Sequence, residues 1–284
     1  GVDQSPEWIV SRLNGDAASV EEKFKLILNA TQKRAAFAWQ KKQRVELLEN
    51  YQQSFSANRQ ATCAAADRYL AKEFTVFGKS VSFSGDIDWH YDPLGDKRIP
   101  LSWWREVDYY SSDVVQEVKY VWELNRCQHF VTLGKAYVLT GDEKYAQGLL
   151  DQWLEWIDKN PYKFGVNWTS SLECAFRIIS WTWALQFVKE SQELNPGRYA
   201  RILMSIENHV DFILGHLSKY SSANNHVLGE CVGLVYVGAY FPEFPRSQQW
   251  LKKGLSIFEK EFLRQVMKDG VNAEQAVWYH RYVF

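Results

Sequence analysis

Residues 226–266, HVLGECVGLVYVGAYFPEFPRSQQWLKKGLSIFEKEFLRQV, hold two helical segments of opposite character joined by a turn. Residues 226–240 are apolar around most of the helix circumference, the mark of a helix covered on two sides. Residues 247–266 carry an apolar stripe, Trp250, Leu251, Leu255, Phe258 and Phe262, set against Lys252, Lys253, Lys260 and Arg264, so one face meets water. Pro242-Glu243-Phe244-Pro245 between them breaks both helices and marks a tight reversal.

The alternation extends back to Asp113. Residues 113–139 and 171–188 are apolar nearly all round, whereas 142–158 and 197–218 are amphipathic. Covered helices alternating with half-exposed ones predict an all-α fold, an incomplete α/α toroid in which helical hairpins form an inner ring inside an outer ring. Inner helices reach outer ones through short turns, Thr140-Gly141-Asp142 and Asn195-Pro196-Gly197. Outer helices return through longer segments, 159–170, 219–225 and 268–274. Antiparallel hairpins gather all the longer returns at one end. That end also presents the N-termini of the inner helices, whose free N–H groups favour an anion.

The part before Asp113 is less regular. Residues 20–29 and 32–55 read as exposed amphipathic helices, with Lys33, Arg34, Lys41, Lys42 and Arg44 on a solvated face. Residues 74–83, with Gly78 in the middle, alternate as a small N-terminal β-hairpin. Residues 86–112 form a long aromatic stretch punctuated by proline and glycine, which reads as a structured loop. The organisation predicted is N-terminal helices over 1–72 packing on a toroid domain over 73–284.

Composition narrows the function classes. The chain has 284 residues, 33 Lys+Arg against 34 Asp+Glu, and 46% hydrophobic residues. A net charge near -1 argues against nucleic acid as a partner, since phosphate binding needs a basic surface. The longest apolar runs, such as 232–241, fall short of the roughly 20 residues of a membrane span. Starting at Gly1 and stopping within an apolar helix-like run, the sequence reads as a fragment trimmed at both ends. Cys63, Cys127, Cys174 and Cys231 have no metal-ligand spacing and read as buried free thiols; no metal site is expected.

The 13 tryptophans, 15 tyrosines and 16 phenylalanines exceed what packing demands, and flat aromatic faces suit sugar rings. Most tryptophans lie inside helices and read as core. Trp89 and Trp168 lie in the long loops at the open end and are candidates for ligand contact. The returns add side-chain amides and other polar groups: Asn167, then Asn224, Asn225 and His226, then Asn272, Glu274, Tyr279 and His280. Each cluster taken alone fits N-capping, as the spelling Ser170-x-x-Glu173 illustrates. Three returns bringing Asn, His, Glu and Tyr to one end exceed what caps require. Motifs for nucleotide, serine-hydrolase and zinc-protease chemistry are absent.

Two catalytic chemistries remain open. A glycoside hydrolase needs two facing carboxylates, and Glu173, Glu230 and Glu274 are the candidates. Asn, His and Tyr suit instead removal of the proton alpha to a uronate carboxylate, followed by loss of the 4-linked sugar. That carbon acid is weak until an amide or cation neutralises the carboxylate. A non-catalytic carbohydrate-binding domain using only the aromatic loops is the third reading.

The sequence resembles the N-terminal helical domain of heparinase II/III-like polysaccharide lyases, a toroid shared with certain alginate lyases. The resemblance rests on Trp122-Glu123-Leu124-Asn125-Arg126-x-x-His129, YVLTGDEKY at 137–145, Asn160-Pro161, Gly165-x-Asn167-Trp168 and Glu173-x-x-x-Arg177. Beyond these come Asn224-Asn225-His226, Asp269-Gly270 and Glu274-Gln275-x-x-x-Tyr279-His280. It implies a lyase acting on acidic polysaccharides by β-elimination, with Asn225 neutralising the carboxylate, Tyr279 as catalytic base and acid, and His226 assisting. Asn224, Asn167, Trp168, Trp89, Glu274 and His280 would bind substrate, while Arg126 and Arg177 would be buried structural pairs. It also implies a C-terminal β-sandwich domain beyond Phe284, carrying a further catalytic His and a structural divalent metal, with no cofactor in the present stretch. A periplasmic or secreted location and weak activity of the isolated fragment follow from the same resemblance.

Overall fold

The computed structural model describes residues 6–34, 41–220 and 224–273, with side chains described from Trp8 in the first stretch and from Glu46 in the second. Two rows of helices form the body. The inner row is α4 (Ser56–Leu70), α6 (Gln128–Thr140), α8 (Ser171–Val188) and α10 (Asn225–Tyr240), each packed against the next. Behind the last three stand their hairpin partners α7 (Glu143–Lys159), α9 (Pro196–Gly215) and α11 (Ser247–Gln265). This is the α/α toroid arrangement, and the inner and outer assignments follow the expected alternation. In α8, residues on every face are buried, from Leu172 and Glu173 to Phe187 and Val188, because α6 and α10 flank it and α9 backs it.

The helix boundaries follow local chemistry. Asp142 caps α7 by accepting from the Lys144 N–H, and Asn195 caps α9 by accepting from the Arg198 N–H, with Pro196 in the first turn where its missing N–H is harmless. Gly141 ends α6 in the left-handed region at φ 71. The tightest helix pair is α10 and α11. A β-carbon on Gly238 would sit 2.5 Å from the Leu251 nitrogen and 2.7 Å from the Ser247 oxygen, so the small residue permits the contact.

Several expectations need correction. The apolar run 113–139 is not one helix: α5 (Val118–Asn125) and α6 are separated at Cys127, which adopts a left-handed φ of 54. The N-terminal helices are less exposed than their charge pattern implied. In α2 (Val20–Lys33), Phe24, Ile27, Leu28 and Thr31 are buried, and the helix packs on α9 together with α1 (Pro6–Ser11). Arg34 is drawn out of the solvated face, donating to Glu243 Oε1 at 2.7 Å and to the Tyr240 carbonyl at 2.9 Å. Lys41, Lys42 and Arg44, at the start of α3 (Lys41–Ser54), lie outside the described side chains. Of the α11 stripe only Trp250 is buried; Leu255 is exposed, and Leu251, Phe258 and Phe262 are half-buried because α10 is the helix's main neighbour.

The hairpin at 74–83 is present as β1 (Glu73–Val76) paired antiparallel with β2 (Lys79–Ser82), turning through Phe77 and Gly78 at positive φ. Within the long loop, β3 (Tyr91–Asp92) pairs with β4 (Lys97–Arg98), and buried Asp92 accepts from the Leu94 and Gln116 N–H groups. The larger apolar core runs from Ile9 in α1 to Trp250 in α11, and a second, smaller one gathers Ile99, Val107, Val115, Val118, Val121 and Val166. No helix among the described residues is long and apolar enough to cross a membrane.

Candidate active site

The hydrogen bonds show which helix ends meet. Ser171, at the start of α8, lies within bonding distance of the His216 carbonyl at 2.9 Å and of Glu230 Oε1 at 2.6 Å, joining α8, the end of α9 and the first turns of α10. Gln265, at the end of α11, donates to the Asn224 carbonyl at 2.9 Å. The long loop closes on the same end: the Trp104 N–H donates to the Lys163 carbonyl, and the Trp104 ring meets His216 edge-on at 4.9 Å. At the opposite end the short turns meet, where Ser191 donates to Glu143 and the Asn14 N–H to the Glu243 carbonyl. The longer returns therefore do share one mouth, as antiparallel hairpins require.

Asn224, Asn225 and His226 stand at that mouth, where α10 begins. Asn224 is the N-cap by position, yet its side chain makes no capping bond. The Oδ1 atoms of Asn224 and Asn225 are both buried without a hydrogen-bond partner, and Asn225 is 6% exposed. Two amides left unspent by the helix they open are unusual, because buried polar atoms are normally paired. His226 is half-buried beside them. Tyr279, Glu274 and His280 lie outside the described residues.

Below the amides is a buried carboxylate. Glu230 is fully buried and accepts from Ser171 Oγ at 2.6 Å, Ser218 Oγ at 2.6 Å and the Ser218 N–H at 2.8 Å. Burial pushes its pKa up, against the lowering effect of these donors and of nearby His226. It pins the 216–218 return to the first turns of α10, and so fixes where Asn225 and His226 sit. Glu173 is buried as well. Its carboxylate takes a bidentate pair from Arg126, Nε and Nη2 each at 2.8 Å, while Arg126 Nη1 reaches Glu123 at 2.7 Å. Ser170 caps the Glu173 N–H at 3.5 Å, but the carboxylate does not complete the capping box, because Arg126 offers a charged fork instead.

Three expected sugar contacts are framework instead. The rings of Trp89 and Trp168 are each 1% exposed, and Asn167 is completely buried. Trp168 packs against His209 at 4.5 Å and Tyr162 at 5.0 Å, and its indole N–H reaches the Asn160 carbonyl. Asn167 donates to Asn160 Oδ1 at 2.7 Å and to the Trp89 carbonyl at 3.2 Å, and Asn125 donates to that same carbonyl at 2.8 Å. Their loops are packed under the mouth, so no ring face is open to a ligand. Arg126 is the ion-paired residue expected. Arg177 is buried too, but its Nε donates to His209 Nε2 at 2.9 Å and its guanidinium lies 4.8 Å from the Trp156 ring rather than against a carboxylate. Desolvation first, then Arg177, hold His209 well below its ordinary pKa, keeping it neutral and able to accept that bond.

Sequence reasoning did not single out Ser171, Ser218 and His216. His216 and Ser218 lie in the return between α9 and α10 and Ser171 opens α8, and nothing in the spacing signals that they converge. All four cysteines are free; Cys127, Cys174 and Cys231 are buried as expected, whereas Cys63 is half-exposed. Among the described residues no group of His, Cys, Asp and Glu could hold a metal ion.

Known proteins with this organisation are consistent in kind. Residues 15–284 match the family profile described as Heparinase II/III N-terminus. The chain is 31% identical over 238 residues to a heparin-sulfate lyase of Bacteroides stercoris, covering 76% of this chain and 32% of that protein. A heparin-sulfate lyase of Bacteroides thetaiotaomicron is 30% identical over 215 residues, covering 75% and 27%. The chain thus spans about a third or less of the length of the curated relatives it matches. A solved heparinase III structure superposes with a TM-score of 0.66 at 25% identity, covering all of this chain and 44% of that one. The heparan sulfate lyase of Pedobacter heparinus gives 0.64 at 22% identity over 92% and 40%. With its profile match, its relatives and its double row of helices in agreement, the chain belongs to the heparinase II/III N-terminal family.

Proposed function

We propose that this chain is the helical part of a polysaccharide lyase that cleaves uronate-containing glycosaminoglycans of the heparan sulfate type by β-elimination. The observation that carries the reading is the pair of amides at the mouth: Asn224 holds the N-cap position of α10 without a side-chain capping bond, and the side-chain carbonyl of Asn225, the first residue of the helix, is buried without a partner. In the reaction the Asn225 Nδ2 donates to the uronate carboxylate and stabilises the charge that spreads there as the adjacent C–H bond breaks. Tyr279 takes that proton. The C–H electron pair becomes the ring double bond, the bond to the 4-linked oxygen breaks, and a proton returned to that oxygen completes the departing sugar. A tyrosine acts as base only where positive charge lowers its pKa from the ordinary value of about 10; His226, next to Asn225 at the positive end of α10, is suited to assist.

The state of two of the three candidate carboxylates, Glu173 and Glu230, weighs against a hydrolase; Glu274 lies outside the described residues. Glu173 is held in a bidentate pair with Arg126 and Glu230 is sealed under three donors, so neither is free to face a glycosidic bond. The test is incubation of the full-length protein with heparan sulfate, hyaluronan, chondroitin and alginate. The expected result is ultraviolet absorbance from an unsaturated uronate, lost in Tyr279→Phe with the helical circular dichroism intact. New reducing ends without that chromophore would point to hydrolysis instead.

A further inference from the structure

A second polar surface borders the mouth on the α9 side. Trp104 is held there by its N–H to the Lys163 carbonyl at 3.0 Å and by edge contacts of its ring with Phe212 at 5.2 Å and His216 at 4.9 Å. The Arg105 guanidinium lies 5.0 Å from the Trp104 ring centre, and the Lys163 ammonium 4.9 Å from that of Tyr162. Lys163 adopts a left-handed φ of 66, a conformation that costs a lysine free energy and persists only where the surroundings impose it. The surroundings here include the bridge between Trp103 and Phe164 and the bond from the Gly165 N–H to the Ser102 carbonyl.

Neither cation is neutralised at contact distance by a described residue. Among the described residues neither Arg105 nor Lys163 has a carboxylate within ion-pair distance, although most other arginines near the fold's core are paired. Both cations are near enough to His216 to add to the effect of burial in lowering its pKa. The His216 Nδ1 is engaged with the Phe212 carbonyl at 2.8 Å, which leaves its other ring nitrogen as the outward one. Through its carbonyl, His216 is linked by Ser171 to Glu230, one turn of α10 from His226. Two cations without a carboxylate partner among the described residues therefore stand on aromatic supports at the same end of the fold as the start of α10.

We propose that Arg105 and Lys163, held on Trp104 and Tyr162, form a subsite for an anionic group, sulfate or carboxylate, on a sugar residue neighbouring the one that is cleaved. The proposal rests on the lyase reading for the identity of its ligand. Arginine supplies a planar fork suited to either oxyanion, and lysine a point charge.

The test is calorimetric titration of the full-length protein in an Asn225→Ala background, which limits consumption of the ligand. The probes are a sulfated heparan oligosaccharide and its unsulfated counterpart of the same length, each against the parent background and against added Arg105→Gln and Lys163→Gln. Each lost charge-assisted contact is expected to weaken binding about tenfold. Weakening confined to the sulfated ligand assigns the subsite to sulfate; equal weakening of both assigns it to carboxylate. Affinities for both ligands within about twofold of the background, with unchanged circular dichroism, overturn the proposal. The lyase reading fails separately, if the wild-type protein forms no unsaturated product from any uronate polymer, and the titration still reads the patch.

Discussion

Glu230 offers the most discriminating perturbation, because shape and charge can be removed separately. Glu230→Ala deletes the acceptor for Ser218 N–H, Ser218 Oγ and Ser171 Oγ. Ser171 retains the His216 carbonyl at 2.9 Å, but the Ser218 N–H is left without its acceptor. An unsatisfied donor costs about 1–3 kcal/mol and the emptied space about 2 kcal/mol more, so the loss is about 3–5 kcal/mol. At about 2 °C for each kcal/mol in a chain of this size, Tm falls by roughly 6–10 °C. Glu230→Gln keeps the shape: its carbonyl accepts from Ser218 N–H and its amide donates to a serine oxygen, for a cost of about 1 kcal/mol at neutral pH.

The pH dependence then tests the sign of the electrostatics. Burial raises the Glu230 pKa above 4.5, so the native state holds this proton more tightly than the unfolded chain. That contribution is fully present below pH 4.5 and is lost as pH rises through the folded pKa. The advantage of wild type over Glu230→Gln is therefore largest in acid and shrinks toward neutrality, as urea midpoints measured at several pH values would report. An advantage that grows with pH would refute this account, because the ionised carboxylate would then be the favoured native form.

Arg126→Met leaves Glu173 buried without its bidentate partner and is expected to cost about 3–5 kcal/mol, read by denaturant midpoint; Arg126→Lys, which keeps the charge but not the fork, recovers only part of it. Gly238→Ala forces a β-carbon against the α11 backbone and should cost about 1–3 kcal/mol, whereas Ala at Gly85, which has open space around it, should be close to neutral. Burial pushes the Cys127, Cys174 and Cys231 thiols up to about 12, so at pH 8 a disulfide reagent should label Cys63 alone in the native protein and all four after denaturation.

The hairpins from α6 onward were legible because two independent signals coincide: the change from all-round to one-sided apolarity, and breakers such as Asn195-Pro196-Gly197 at the short turns. Helix α4 carried no such signal. Its packing side toward α6 and α7 is alanine-rich, with Ala66 buried, and alanine barely registers as a hydrophobic stripe. The break at Cys127 was invisible for a similar reason, since neither glycine nor proline marks it. Proximity in sequence to the open end misled for Trp89 and Trp168: a loop can reach the mouth with its backbone and still bury its large side chains. The amides at α10 were legible as an excess of polar groups, while the holding of Glu230 by Ser171 and Ser218 beneath them was not, because Ser171 is 59 residues from Glu230 and no spacing signals that they meet.

A structure of the full-length protein with a bound uronate oligosaccharide tests the central claim most directly. The account predicts the sugar carboxylate about 2.7–3.2 Å from Asn225 Nδ2, with the Tyr279 hydroxyl on the same side of the ring within reach of the proton to be removed. A carboxylate seated elsewhere, or Tyr279 at the opposite end of the helical ring from Asn225, would contradict it.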